Sequence, residues 1–414
     1  VDNPPARSGR VRAFARIRTI ERGALRRMPW LTLVLTWLLR NRWFVLIGLA
    51  LACAIIPQAD PKPNDIDIYF AAPALRLIRS GDLSVFAPTI QIGPVCLALL
   101  GIGATGSSAL GLGATVGASI VTGLVALLIT VAAIRALTPV GTPGRQRAAY
   151  ELFGGVAVIW GAMPTATSYG HIEEMFLGLV LVLIAVEARR GHGVRAGLWL
   201  ALALTCKLWA VVAVVVLILS PRWRTGAVAL LTGAAGALVA YAPFVLSGHF
   251  RTFDFEWTVQ PHVPETWLAP AGTLFDFRAR IGQVALTCAV GAIVALRARR
   301  DVRAVWLVPA TVVVTRLLVD PMLLPYYWSS FVACLVLALI FVDWPVTVRA
   351  AAMLAVAGGV AGATLLLRAH PSRPLLTLLT VAGIAFCVWC AWRRGPTVPD
   401  PLAPRDDPAA VAAA

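Results

Sequence analysis

Apolar residues run along this chain in long blocks separated by short polar or Arg-bearing connections. Most of the blocks are about 17–25 residues long, the length a helix needs to cross hydrocarbon. They cover residues 43–57, 110–137, 150–163, 175–187, 225–246, 280–296, 302–319, 326–342, 348–367 and 375–392. Two shorter runs, 194–206 and 208–219, meet at Lys207 and predict a hinged pair of helices. The pattern predicts an all-α polytopic membrane protein, a bundle of about twelve transmembrane helices. The run from Ile92 to Gly103 is too short to span and is expected to be re-entrant. Two long polar connections remain. The first outer loop, 58–108, includes the re-entrant segment, and the second covers 247–278. Residues 1–42 are expected to form an Arg-rich cytoplasmic tail leading into an uncleaved first span. Alternating Arg and apolar residues from Val11 to Ile20 would lay part of it on the membrane surface. Residues 43–394 form the membrane domain. Residues 395–414, rich in Pro, Asp and Ala, are expected to be disordered and cytoplasmic.

Composition agrees with that division. The chain of 414 residues is 59% hydrophobic and 14% charged, against about 25% charged in a soluble domain. Mean hydropathy is +0.80. Soluble, fibrous and disordered classes are excluded. The formal charge of +16, carried by 34 Arg and only 2 Lys, invites a nucleic-acid partner. Placed on the topology, it becomes an orientation signal instead. With the N-terminus inside, 26 of the 36 basic residues fall on the cytoplasmic side and ten outside. That asymmetry requires that Ile92–Gly103 not cross. Eleven of the 20 acids fall on the outer side, mostly in the two long loops, so chemistry is expected on the extracytoplasmic face of a cell membrane. The seven Cys lie mostly inside apolar runs and predict no disulfide framework. Cys387-Val-Trp-Cys390 lies mid-helix with no second ligand pair, which argues against zinc.

Four features carry candidate chemistry, and the second outer loop adds a fifth. Asn64-Asp65-Ile66-Asp67-Ile68-Tyr69 follows the first span. Its two carboxylates point together if the segment is extended and apart if it is helical. A membrane-side carboxylate suits a general base, while a solvated helix stop is the bland alternative. His171-Ile172-Glu173-Glu174 lies at an outer helix start, where His171 and Glu174 would share a face. It is a candidate to bind sugar hydroxyls, or simply acids at a helix N-terminus. Lys207 sits inside an apolar run, facing a cavity or snorkelling to the interface. Arg316 is placed to pair with Asp320 at i+4 or to grip a phosphate, near Tyr326, Tyr327 and Trp328, which also read as an aromatic belt. Glu256, Trp257 and His262 mix rings with polar groups, as sugar binding does. No Walker loop, H-E-x-x-H, G-x-S-x-G or kinase signature occurs. The small-residue run Gly101–Gly117 predicts close helix packing.

These residues resemble a GT-C membrane glycosyltransferase. Asp65-Ile66-Asp67-Ile68-Tyr69 is similar to the D-x-x-x-Y motif of glycosyltransferase family 87, which includes actinobacterial mannosyltransferases. Leu200–Lys207 approximates that family's Gly-Leu-Ala-x-x-x-Lys pattern, and Gly170-His171-Ile172-Glu173-Glu174 resembles a G-H-x-E-[DE] stretch of actinobacterial relatives. The family's Tyr-Pro-Pro is reduced here to Pro94. The resemblance implies an inverting transfer of a sugar, mannose favoured, from a polyprenyl-phosphate donor to a lipid or glycan acceptor. Asp65, with Asp67 beside it, would be the catalytic carboxylate, and Asp65 would act as the base that deprotonates the acceptor hydroxyl. Tyr69, His171, Glu173, Glu174, Glu256, Trp257 and His262 would bind substrate. Lys207, Arg316, Tyr326 and Tyr327 would hold the donor phosphate. No cofactor or divalent metal is expected, and no nucleic-acid partner. Scarce Lys and abundant Ala and Arg fit a high-GC bacterium. Two other functions stay open: a transporter or lipid-linked-sugar flippase, and a non-catalytic scaffold of envelope assembly.

Overall fold

The computed structural model describes residues 28–59, 64–139, 141–342, 344–369 and 373–393. Residues 1–27 of the expected N-terminal tail, the whole C-terminal tail, and Asp60, Pro61, Lys62, Pro63 and His370 lie outside the described residues. Among the described residues the protein is all-α apart from one hairpin of two-residue strands.

The chain opens with α1 (Pro29–Arg40), α2 (Arg42–Ile55) and a 3₁₀ turn, Ile56–Ala59. The helix α1 lies within the expected tail, yet it is apolar, and its axis turns 75° from that of α2. A π turn, Ile66–Phe70, leads into α3 (Ala71–Ser80). Next come α4 (Pro94–Ala109), α5 (Ala114–Leu137) and α6 (Gly144–Ala149), then a π turn, Tyr150–Gly154, α7 (Gly155–Tyr169), α8 (Ile172–Arg189) and α9 (Gly193–Cys206). A twelve-residue 3₁₀ helix, Leu208–Leu219, precedes α10 (Trp223–Leu246). The remainder is β1 (Trp257–Thr258), β2 (Leu274–Phe275), α11 (Phe277–Ala298), α12 (Ala304–Leu318), α13 (Trp328–Ala338), α14 (Val346–Ala369) and α15 (Arg373–Trp392).

Four helices are individually long and apolar enough to cross a membrane: α5, α10, α11 and α15. The bent pair α1 and α2 makes a fifth candidate. Other apolar helices, α4, α9 and α12 among them, are shorter. The count of twelve is therefore not reached on length and apolarity alone.

The helix α8 organises the bundle. It is apolar on every side, and all 18 of its residues are buried. A helix without a polar face has to be central. It packs against α5, α7, α9, α12 and α13. Its start is fixed by Gly170, the residue that ends α7 with φ +79. A Cβ there would lie 2.7 Å from the Ile66 nitrogen, so glycine serves both the left-handed turn and the close approach. The expected close packing of small residues is present, with Gly103 of α4 against the Gly117 backbone of α5.

The hinge at Lys207 is real. Its backbone is extended (φ −159, ψ 131) between α9 and the 3₁₀ helix. A break in an apolar helix frees carbonyls that need donors. Gly93 N–H donates to Cys206 O at 2.7 Å, and Tyr241 Oη donates to Leu204 O at 3.0 Å. Thus the start of α4 is sutured to the break.

Three connections meet at one end of the bundle. Arg251 N–H donates to Phe86 O, Gln91 Nε2 to Thr252 O, and Gln260 N–H to Pro321 O. The hairpin pairs Trp257 with Phe275 and Thr258 with Leu274. Phe275, Val259 and Val263 pack on Leu317, Leu323, Tyr326 and Tyr327. The loop between α10 and α11 is therefore folded down over the ends of α8 and α12.

Candidate functional site

Asp65 and Asp67 sit on a helical turn and diverge, the second of the two expected geometries. Asn64 Oδ1 accepts from Ile66 N–H at 2.9 Å and from Asp67 N–H at 3.4 Å. Asp67 Oδ2 accepts in return from Asn64 N–H at 3.2 Å. This is a capping box, reciprocal satisfaction of the first free N–H groups of a helix. Asp67 also accepts from the Thr115 hydroxyl. It is held as a structural cap, away from Asp65, and it corrects the expected catalytic pair. Asp65 faces the other way, toward His171, with its side chain 37% exposed.

His171 precedes α8 with non-helical angles (φ −121, ψ 52). The helix does start as early as expected, but His171 lies outside it, so its partner is not Glu174. The Nδ1 atom is 2.6 Å from Glu173 Oε1, and Nε2 is 2.7 Å from Asp65 Oδ2. Carboxylates only accept. One proton more than a neutral imidazole carries is therefore shared among Asp65, His171 and Glu173. The ring is clamped face-on by Tyr326 (4.3 Å, 13°) and edge-on by Phe70 (5.5 Å).

The chain of charge continues inward. Lys207 Nζ donates to Glu173 Oε1 at 2.9 Å and to Glu174 Oε1 at 2.7 Å. Trp209 Nε1 also donates to Glu174 Oε1, at 3.2 Å. Arg316 Nη1 donates to Glu174 Oε2 at 3.4 Å, and Arg316 Nη2 pairs with Asp320 at 3.1 Å. The Arg316 guanidinium lies between the Trp209 and Tyr327 rings, 4.4 Å from each centroid. Glu174 is fully buried, and Lys207, Arg316 and Asp320 nearly so. Snorkelling is thereby overturned for Lys207. The belt reading is overturned for Tyr326 and Tyr327, both buried. The anticipated Arg316–Asp320 pair is present.

This network walls a cavity of about 400 Å³. His171, Lys207, Arg316, Asp320, Tyr326 and Tyr327 line one side. The lining also includes apolar and aromatic residues, among them Trp257, Phe275, Phe277, Ile281 and Val284. Sites that bind small molecules share this plan, a mostly apolar concavity with a few convergent polar groups. Asp65 stands one hydrogen bond behind the lining imidazole.

The other expected residues are elsewhere. Tyr69 is exposed, as is Glu256. His262 is exposed with φ 65, and its carbonyl accepts from Thr377 Oγ1. Of the second-loop trio only Trp257 reaches the cavity. Trp209, Gln91, Gln283 and Arg280, none of them expected as a binding residue, do line it. Arg280 opens the apolar block of α11, and a cation at the edge of such a block was the available signal. Glu265 of the same loop is buried, and its Oε2 lacks a partner. Burial and the nearby Asp320 push its carboxyl up to about 7.

No family model matches the chain, no curated protein matches it, and no solved structure matches it.

Proposed function

We propose that this protein is a polytopic membrane glycosyltransferase with a GT-C-like bundle, acting on the extracytoplasmic face. It transfers a sugar with inversion from a polyprenyl-phosphate donor to a lipid or glycan hydroxyl. The observation that carries this reading is the Asp65–His171–Glu173 relay at the wall of a half-apolar, half-charged cavity. An amphiphilic donor fits such a cavity, with its head at the polar wall and its chain along the apolar one. The long apolar helices α5, α10, α11 and α15 supply the membrane setting.

In this reaction Asp65 accepts the proton of the acceptor hydroxyl, and the hydroxyl oxygen attacks the anomeric carbon. The carbon–oxygen bond to the phosphate breaks, and polyprenyl phosphate leaves. Charge at the sugar resembles that of an oxocarbenium ion. His171 holds one oxygen of Asp65 through Nε2 and so aims the carboxylate. Glu173 holds the imidazole from behind, as a third group orients a base in other relays.

Asp65→Asn is expected to lower transfer from polyprenyl-phosphate mannose by about 10²–10⁴-fold, the usual contribution of a positioned base. Asp67→Asn, in the capping box, keeps transfer near wild type. Purified protein of both variants, with unchanged melting, gives the comparison. Near wild-type transfer by the Asp65 variant would end the assignment. A transporter reading draws on the discontinuous helix at Lys207, since broken helices at a cavity mark many transporters. It requires uptake of a labelled lipid-linked sugar without formation of a glycosylated product.

A further inference from the structure

Besides His171, three basic side chains line the cavity, and they are not equivalent. Lys207 and Arg316 are each bonded to two carboxylates, and the wall they belong to carries four acids: Asp65, Glu173, Glu174 and Asp320. These two cations serve to hold buried acids in place, and an incoming anion would compete with groups already bound to them. Arg280 is different. Among the described residues it makes no ion pair. Its Nη1 donates to Gln91 Oε1 at 3.1 Å, and its Nη2 donates to Phe255 O at 2.8 Å. Both partners are neutral, so they orient the guanidinium without cancelling its charge. Five N–H groups are available on an arginine, so donors remain for a ligand. Asp320 lines the same cavity, but its carboxylate is engaged by Arg316 and by Met322 N–H.

The walls around Arg280 also say how a ligand enters. Phe253, Phe277, Ile281 and Val211 line the cavity and are at the same time 39–54% exposed. A cavity rim made of exposed apolar side chains opens onto hydrocarbon more favourably than onto water. Val211 belongs to the 3₁₀ helix Leu208–Leu219, and Ile281 lies one turn inside α11. These two elements therefore contribute to the apolar rim.

We infer that Arg280, positioned by Gln91, binds the phosphate head of a lipid-linked ligand whose apolar chain leaves across the rim to which Leu208–Leu219 and α11 contribute. This rests on the lipid-phosphate donor proposed above. It moves the phosphate from Lys207 and Arg316, where the sequence placed it, to the cation without a carboxylate.

The test uses the full chain in lipid nanodiscs and a fluorescent polyprenyl phosphate that carries no sugar. Wild type and Arg278→Gln, an exposed neighbour, bind alike. Arg280→Gln binds about tenfold or more weakly, the scale of one lost charge-assisted bond. Its donor KM rises correspondingly, and kcat falls too, because the phosphate it would hold gains charge as it leaves. Arg280→Lys and Gln91→Leu, which spare a charge or disturb only the aim, weaken binding by smaller factors. Inorganic phosphate at millimolar concentration does not displace the probe. Wild-type affinity in Arg280→Gln overturns the inference, and so does absence of binding in wild type. If Arg280→Gln fails to fold, unchanged affinity in both Arg280→Lys and Gln91→Leu overturns it. Displacement by inorganic phosphate overturns the lipid-linked ligand. Arg280-dependent binding without any sugar transfer supports the inference and removes the transferase reading instead.

Discussion

Two buried glutamates sit at separate places in this bundle, and each binds two cations. Glu151, 2% exposed, lies on the π turn between α6 and α7. It accepts from Arg42 Nε at 2.6 Å and from Arg135 Nε at 2.7 Å, so it ties α2 and α5 to α7. Both arginines still reach the exterior, at 25% and 51% exposure. Glu174 accepts from Lys207 and Arg316, and neither of these reaches out. The Glu151 cluster is a finished clamp of one acid and two wet cations. The Glu174 network has more acids than cations, runs on through His171 to Asp65, and faces a cavity. A buried charge kept for architecture can be balanced locally and left alone. A site for chemistry keeps charge in reserve and keeps it sealed from water, where its effect is stronger.

Removing one charged partner from each region separates them most sharply. Lys207→Ala leaves Glu173 and Glu174 short of their shared partner, and the expected loss of stability is about 3–5 kcal/mol. Transfer is lost with it. Thermal melting in detergent reads the first effect and a labelled donor the second. A variant that melts like wild type would show that the network is not sealed. For the clamp, Glu151→Ala strands arginines that water can reach, so the expected cost is nearer 1–3 kcal/mol. Transfer per folded molecule stays close to wild type. If that variant lost transfer while keeping its melting temperature, the contrast between clamp and site would collapse.

The smallest effect tests the cover of the cavity. The Glu265 carboxyl titrates near 7 in the folded protein, against 4.5 for an unperturbed glutamate. The folded state thus binds this proton more tightly than the unfolded chain does. Its contribution to stability is complete below about pH 4.5 and is lost as pH rises through 7. Glu265→Gln mimics the neutral form and flattens that slope. Melting temperatures between about pH 5 and pH 8 give the readout, and parallel slopes for both proteins would rule the role out.

Much of the helix plan was readable, because apolar blocks announce themselves by length. The break at Lys207 was equally plain, as one lysine between two apolar runs. The pairing of Arg316 with Asp320 followed from their spacing of four. What could not be read was long-range pairing. That His171 takes Glu173 rather than Glu174 depends on one residue of helix start, set by the left-handed Gly170. That Asp67 is a cap follows from Asn64 reaching back over the turn, a local pattern outweighed by the attraction of two acids in a row. Arg280 looked like any basic residue at the end of a loop. Its distinction is that no carboxylate bonds to it among the described residues, a property that appears only once the fold has paired Asp320 with Arg316.

The order in which the site is assembled follows from α8 being buried throughout. Glu173 and Glu174 are made first, and Lys207 is synthesised 34 residues after Glu173. Arg316 comes 142 residues after Glu174. At ordinary translation rates of about 5–20 residues per second, the acids wait roughly two to seven seconds for the lysine. They wait roughly 7–28 seconds for the arginine. Two acids at the start of a helix buried on every side are costly until a cation reaches them. Lys207, at the end of α9, is the first residue in chain order that supplies it. The stretch Ile172–Lys207 thus carries these acids together with a partner, and Arg316 completes the pairing of Glu174 from a much later helix.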